Sequence, residues 1–123
     1  MVQAMMQVGL VDRVVVRPGR REEFLRGFHQ RYLPGARARG LTLVSVVAVP
    51  PEEIEAQPTE LTIVWTLPDY RAFFPMRGQA GADPSVAAFW EWCNGLIERR
   101  ERHVGAALDH PDTAAVGAPG GPR

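Results

Sequence analysis

Residues 8–39 read VGLVDRVVVRPGRREEFLRGFHQRYLPGARAR, and the fold is decided in this stretch. Its first nine residues are dominated by β-branched side chains and stop at Arg17-Pro18-Gly19, a turn signal, so they predict a strand. From Arg20 the period changes. Phe24, Leu25, Phe28, Tyr32 and Leu33 fall at helical spacing among charged residues, which predicts an amphipathic helix over 20–39. Pro34 lacks an N–H and its ring clashes with the preceding turn, so it should kink the helix or split off its last turn, which Gly40 closes.

Outward from there, residues 41–49 predict a second strand ending at Pro50-Pro51, and the acidic segment 52–60 an exposed loop. Residues 61–67 alternate, with Leu61, Ile63, Trp65 and Leu67 on one face and Thr62, Val64 and Thr66 on the other. Pro68-Asp69 opens a short helix with Tyr70, Phe73 and Phe74 that Pro75 is expected to end, and residues 78–82 read as a flexible connection. Asp83-Pro84 is a helix start, an N-cap acceptor followed by proline at the first position. Val86, Phe89, Trp90, Cys93 and Ile97 form the buried stripe of that helix. The pattern weakens near Arg99, and residues 103–108 predict a short fourth strand. Residues 7–109 thus make one domain. Residues 110–123, rich in Pro, Gly and Ala, are expected to be a disordered tail.

The order β-α-β-β-α-β is the split βαβ arrangement of ferredoxin-like α+β domains: an antiparallel four-stranded sheet with helices on one face. On simple alternation, Leu41, Leu43, Val47, Val49, Leu61, Ile63 and Trp65 face the helices. The opposite set (Thr42, Val44, Val46, Ala48, Thr62, Val64, Thr66) is smaller but still mostly apolar. A bare face of that kind is a patch that monomers rarely tolerate. Pairing two sheets into a homodimer removes it, which gives a dimeric α/β barrel.

The segments Val14-Val15-Val16-Arg17-Pro18-Gly19-Arg20-Arg21-Glu22-Glu23-Phe24, Gly40-Leu41, Ile63-Val64-Trp65-Thr66-Leu67 with Asp69-Tyr70, and Ala82-Asp83-Pro84 before Phe89-Trp90 resemble the dimeric α/β-barrel superfamily, and within it the NIPSNAP-like group. The resemblance spans roughly residues 7 to 109. It implies a cavity between helices and sheet. It does not imply one reaction, since the superfamily includes cofactor-free monooxygenases, polyketide cyclases, lactone isomerases, haem-degrading enzymes and proteins of unknown role.

Composition excludes several classes. Of 123 residues, 46% are apolar and 23% charged, and 14 acidic residues balance 14 basic ones, all arginine. No field of one sign is available for phosphate backbones, so nucleic acid is not an expected partner. No apolar run approaches the roughly 20 residues of a membrane span, so none is expected. The N-terminal residues lack the flank and apolar stretch of a signal peptide, and the single Cys93 forms no internal disulfide, so a cytoplasmic location is expected. The scattered histidines predict no metal site, and no cofactor fingerprint occurs.

The candidate site residues are aromatic with titratable tips. His29 can move protons near neutral pH, with Tyr32 three residues on. Trp65, Tyr70, Phe74, Arg77 and Trp90 would line the cavity and bind substrate. The same aromatics at helical spacing are also what a filled core requires. Asp12 and Arg13 interrupt an apolar strand and point to opposite faces, one toward the cavity and one toward a dimer partner or an interface salt bridge. Cys93 lies on a buried stripe and is expected to pack. Two functional readings stand. One is a small-molecule-binding protein, including a cofactor-independent cyclase, isomerase or monooxygenase acting on an aromatic or polyketide-like carbonyl compound. The other is a NIPSNAP-like non-catalytic ligand- or partner-binding protein.

Overall fold

A computed structural model describes residues 7–108. The strand β1 (Gln7–Val16) leads into α1 (Arg21–Gly27), a π turn (Phe28–Tyr32) and α2 (Leu33–Ala38); then come β2 (Thr42–Val49), β3 (Thr59–Leu67), α3 (Tyr70–Ala82), α4 (Pro84–Cys93) and β4 (Ile97–Ala107). The sheet order is β2-β3-β1-β4 with every neighbouring pair antiparallel, the ferredoxin-like arrangement expected from the sequence. The expected boundary of the domain at residue 109 and the expected tail lie outside the described residues. No helix among the described residues is long and apolar enough to cross a membrane.

The helices cover one face. Val8, Leu10, Val14 and Val16 of β1 and Leu61, Ile63, Trp65 and Leu67 of β3 are buried against them. The first helix stacks Phe24 on Phe28 and Phe28 on Tyr32, with centroids 6.2 and 5.8 Å apart. At Pro34 the last turns are set off as α2: the turn before the proline widens, and Leu33 N–H donates to Phe28 O. A π turn relieves the clash of a proline ring with the carbonyl four residues back. Gly40, at φ +101°, then ends α2: its N–H donates to Arg37 O and that of Leu41 to Ala36 O. This is a paired C-terminal cap that a left-handed glycine permits.

Three expectations are corrected. Pro75 does not end the helix that begins at Tyr70. Asp69 accepts from Arg71 N–H and Ala72 N–H, and Met76, only 2% exposed, anchors the helix beyond the proline, so α3 runs on through residues 78–82. β4 begins at Ile97, not near residue 103. Its residues Glu98 to Arg102 are charged, so it shows no apolar alternation, and the pairing with β1 forms it. Finally, the register of β2 shifts at a bulge between Leu43 and Ser45. Past a bulge the side-chain faces exchange. Val46 and Ala48 therefore lie opposite Ile63 and Leu61 on the helix side, whereas Val47 and Val49, 52% and 58% exposed, turn to the open face.

α1 and α4 meet at Gly27. A Cβ built there would lie 2.1 Å from the Trp92 ring. Around Gly78 in α3 a Cβ meets nothing within 4 Å. Gly27→Ala should therefore destabilise the fold by about 1–3 kcal/mol through overpacking, whereas Gly78→Ala should stabilise it by roughly 0.5–1 kcal/mol as a helix-interior glycine replacement. Urea unfolding of the two variants checks the opposite signs.

Candidate functional site

A buried carboxylate organises the helix side of the sheet. Asp12, 6% exposed, sits mid-strand in β1 with its side chain toward the helices. It accepts from Trp65 Nε1 on β3 at 2.9 Å, and from Arg102 Nε and Nη2 on β4 at 2.6 and 2.9 Å. Both carboxylate oxygens are used, in the two-pronged geometry that arginine offers. Arg102 Nη2 also donates to Tyr32 Oη at 3.4 Å. Burial works against the charge on Arg102, but the hydrogen bonds and charge of Asp12, joined by Tyr32, overcome it and hold the guanidinium above the ordinary arginine range.

Beside this network lies a cleft of about 460 Å³ between sheet and helices. β1 contributes Asp12, the π turn Tyr32, α3 Arg77, Ala80 and Gly81, α4 Val86 and Trp90, and β4 Arg100 and Arg102. Arg100 stacks over the Trp90 ring with its guanidinium carbon 4.0 Å from the centroid. The Tyr32 ring is fixed by Trp90 at 5.5 Å, Phe89 at 5.2 Å and the buried Arg39 at 5.6 Å. Three guanidinium groups thus share the cleft with one carboxylate, so its field favours an anion.

The sequence-derived candidates divide. Tyr32, Arg77 and Trp90 line the cleft. Trp65 is fully buried and acts from behind, through its hydrogen bond to Asp12. Tyr70 and Phe74 are 48% and 67% exposed on α3 and do not line the cleft. His29 is exposed on the first helix, with Nδ1 3.0 Å from Leu25 O, and is not brought to Tyr32's hydroxyl or to the cleft. A position next to the apolar stripe does not decide which way an imidazole points; here it packs edge-on against Phe28. Asp12 is the member of the Asp12/Arg13 pair that reaches the cavity, and its partner is Arg102 of the same chain. Arg100 and Arg102 were not among the candidates. The signal that could have found them is a strand beginning at Ile97, which places 100 and 102 opposite Val14 and Asp12. Cys93 is fully buried, and burial pushes its thiol up to about 11, against the opposing charges of Arg100 and Arg31. It packs and is no nucleophile near neutral pH.

No family model and no curated protein matches the chain. Solved structures do. A NIPSNAP family protein from Agrobacterium tumefaciens is 16% identical with a TM-score of 0.67, over 89% of this chain and 92% of that one. An uncharacterized NIPSNAP-like domain protein from Burkholderia xenovorans is 14% identical with a TM-score of 0.67, over 95% and 92%. SnoaB, a cofactor-independent oxygenase from Streptomyces nogalater, is 20% identical with a TM-score of 0.52, over 86% and 97%. At these identities the likeness is one of fold: the chain has the ferredoxin-like fold that NIPSNAP proteins share with this oxygenase.

Removing one member of a buried ion pair strands the other, so Asp12→Ala should cost about 3 kcal/mol in urea unfolding. Trp65→Phe, which removes one hydrogen bond to the same carboxylate and leaves a void where the indole was fully buried, should cost about 2–3 kcal/mol. The Asp12→Ala/Arg102→Ala double variant should lose less than the sum of the singles. For Cys93, the folded thiol keeps its proton above its ordinary value of 9.0. The unfolded thiol ionises first as pH rises, so stability should fall between pH 9 and about 11, and Cys93→Ala should lack that part of the fall.

Proposed function

We propose that this protein binds a small aromatic or polyketide-like carbonyl compound in the cleft beneath α3 and α4, and works as a homodimer joined through its open sheet face. The observation that carries the ligand reading is the state of Tyr32. Its oxygen accepts from Arg102, so its hydroxyl hydrogen is free to be donated to a carbonyl or enolate oxygen lying against Trp90. A flat, apolar wall with a few convergent polar groups suits such a ligand.

Tyr32 is also the group that would serve a cofactor-independent reaction, by donating to an oxygen on which charge develops. The exposed position of His29 favours the narrower reading of binding without proton abstraction, because among the described residues no histidine lines the cleft.

The dimer reading rests on the open face. Val11, Val15 and Val64 form a half-buried strip there, bordered by the exposed Val47 and Val49. Arg13 and Glu101 stand opposite one another in register beside it, so the face carries both signs of charge. A two-fold axis sets each such patch against a copy of itself, which lets the signs match.

Titration with a panel of hydroxylated aromatic ketones and quinones, followed by tryptophan fluorescence, tests the ligand reading. Saturable quenching is expected. Tyr32→Phe should weaken it about tenfold, the loss of one hydrogen bond to a developing charge, and Trp90→Leu should abolish the stacked contribution. A panel without saturable binding sinks the carbonyl-compound reading. Light scattering should give a dimeric mass at micromolar concentration and a monomeric one for Val64→Arg; a monomeric unsubstituted protein sinks the dimer.

A further inference from the structure

We infer that the ligand is an amphipathic carboxylate, its anionic head held between Arg77 and Arg100 and its apolar extension lodged beneath α3. This rests on the small-molecule reading above and names the class of molecule. The charge balance of the cleft is the first ground. Arg102 is neutralised by Asp12 through two hydrogen bonds. Among the described residues neither Arg77 nor Arg100 makes an ion pair, and both line the same cleft, Arg100 with its guanidinium carbon over the Trp90 ring. Two uncompensated guanidinium groups on the lining of one cleft form a receptor for a planar anion, which arginine can hold by two parallel hydrogen bonds.

The second ground is a neighbouring cavity of about 360 Å³ lined by Phe73, Met76 and Val104. It shares Arg77, Ala80 and Arg102 with the cleft, so the two adjoin beneath the middle of α3. Its own walls are apolar. A ligand with an acid at one end and an alkyl or aryl-alkyl group at the other matches the order of the two compartments: cations first, then Phe73, Met76 and Val104.

The test uses benzoate, phenylbutyrate and decanoate, each against its primary amide, titrated into the full chain by calorimetry at constant pH and salt. Each carboxylate should bind at least about tenfold tighter than its amide, and the Arg77→Gln/Arg100→Gln variant should reduce that preference to about twofold or less. Val104 is 45% exposed, so Val104→Trp can fill the second cavity without disturbing the core. It should weaken phenylbutyrate and decanoate about tenfold and leave benzoate within about twofold. Equal affinity for acids and amides overturns the inference, as does a Val104→Trp effect that is the same for short and long acids. If aromatic ketones or quinones bind while acids show no advantage over amides, the amphipathic acid is wrong and the small-molecule reading stands. If nothing in either panel binds, both fall.

Discussion

Asp12 faces the helices from the middle of the central strand, where an ionised carboxylate survives only if its oxygens are satisfied. Its partners come from both neighbouring strands, Trp65 on β3 and Arg102 on β4. One side chain therefore couples two registers. A slip of β4 by a single residue would turn Arg102 to the open face and leave the carboxylate stranded, because neighbouring strand positions point to opposite faces. Specific pairing of β1 with β4, a strand with few apolar residues of its own, follows from this ion pair more than from hydrophobic burial.

The elements legible in the sequence were those whose burial is one-sided and regular. β3 alternates without interruption, β1 is a β-branched run closed by a turn signal, and the first helix shows its stripe through Phe24, Phe28 and Tyr32. Legibility failed where a backbone irregularity or a partner strand did the deciding. The bulge at β2 exchanges the faces of Val46, Val47, Ala48 and Val49, and nothing in a run of alanine and valine marks where the extra residue sits. β4 carries IERRERH at its start, which as a local pattern resembles a solvated helix end. Pairing with β1, and Asp12 in particular, makes it a strand.

The same failure explains what was missed at the site. Beginning the fourth strand near residue 103 removes Arg100 and Arg102 from the faces they occupy, and with them most of the cleft's charge. Tyr32 and Trp90 were legible because they lie on the apolar stripes of the first helix and α4, whereas Tyr70 and Phe74, equally aromatic, are exposed on α3. His29 illustrates the limit of that reasoning. A helical residue beside the stripe can lean either way, and its imidazole meets the Leu25 carbonyl on its own helix.

The charges of the cleft also bear on why it stays open. In α3, Met76 is the buried residue, while Tyr70 and Phe74 are left exposed and Gly78 and Gly81 have open space about them. Closing α3 onto β4 would bring Arg77 toward Arg100 and Arg102, three cations against one carboxylate that is already engaged. Met76 is the one residue that α3 buries, so little packing draws the helix onto the sheet against that crowding of charge. The cations that crowd this gap are the groups that the proposed anion would meet, so the arrangement that sets α3 apart from β4 is also the one that would reward binding a negatively charged ligand.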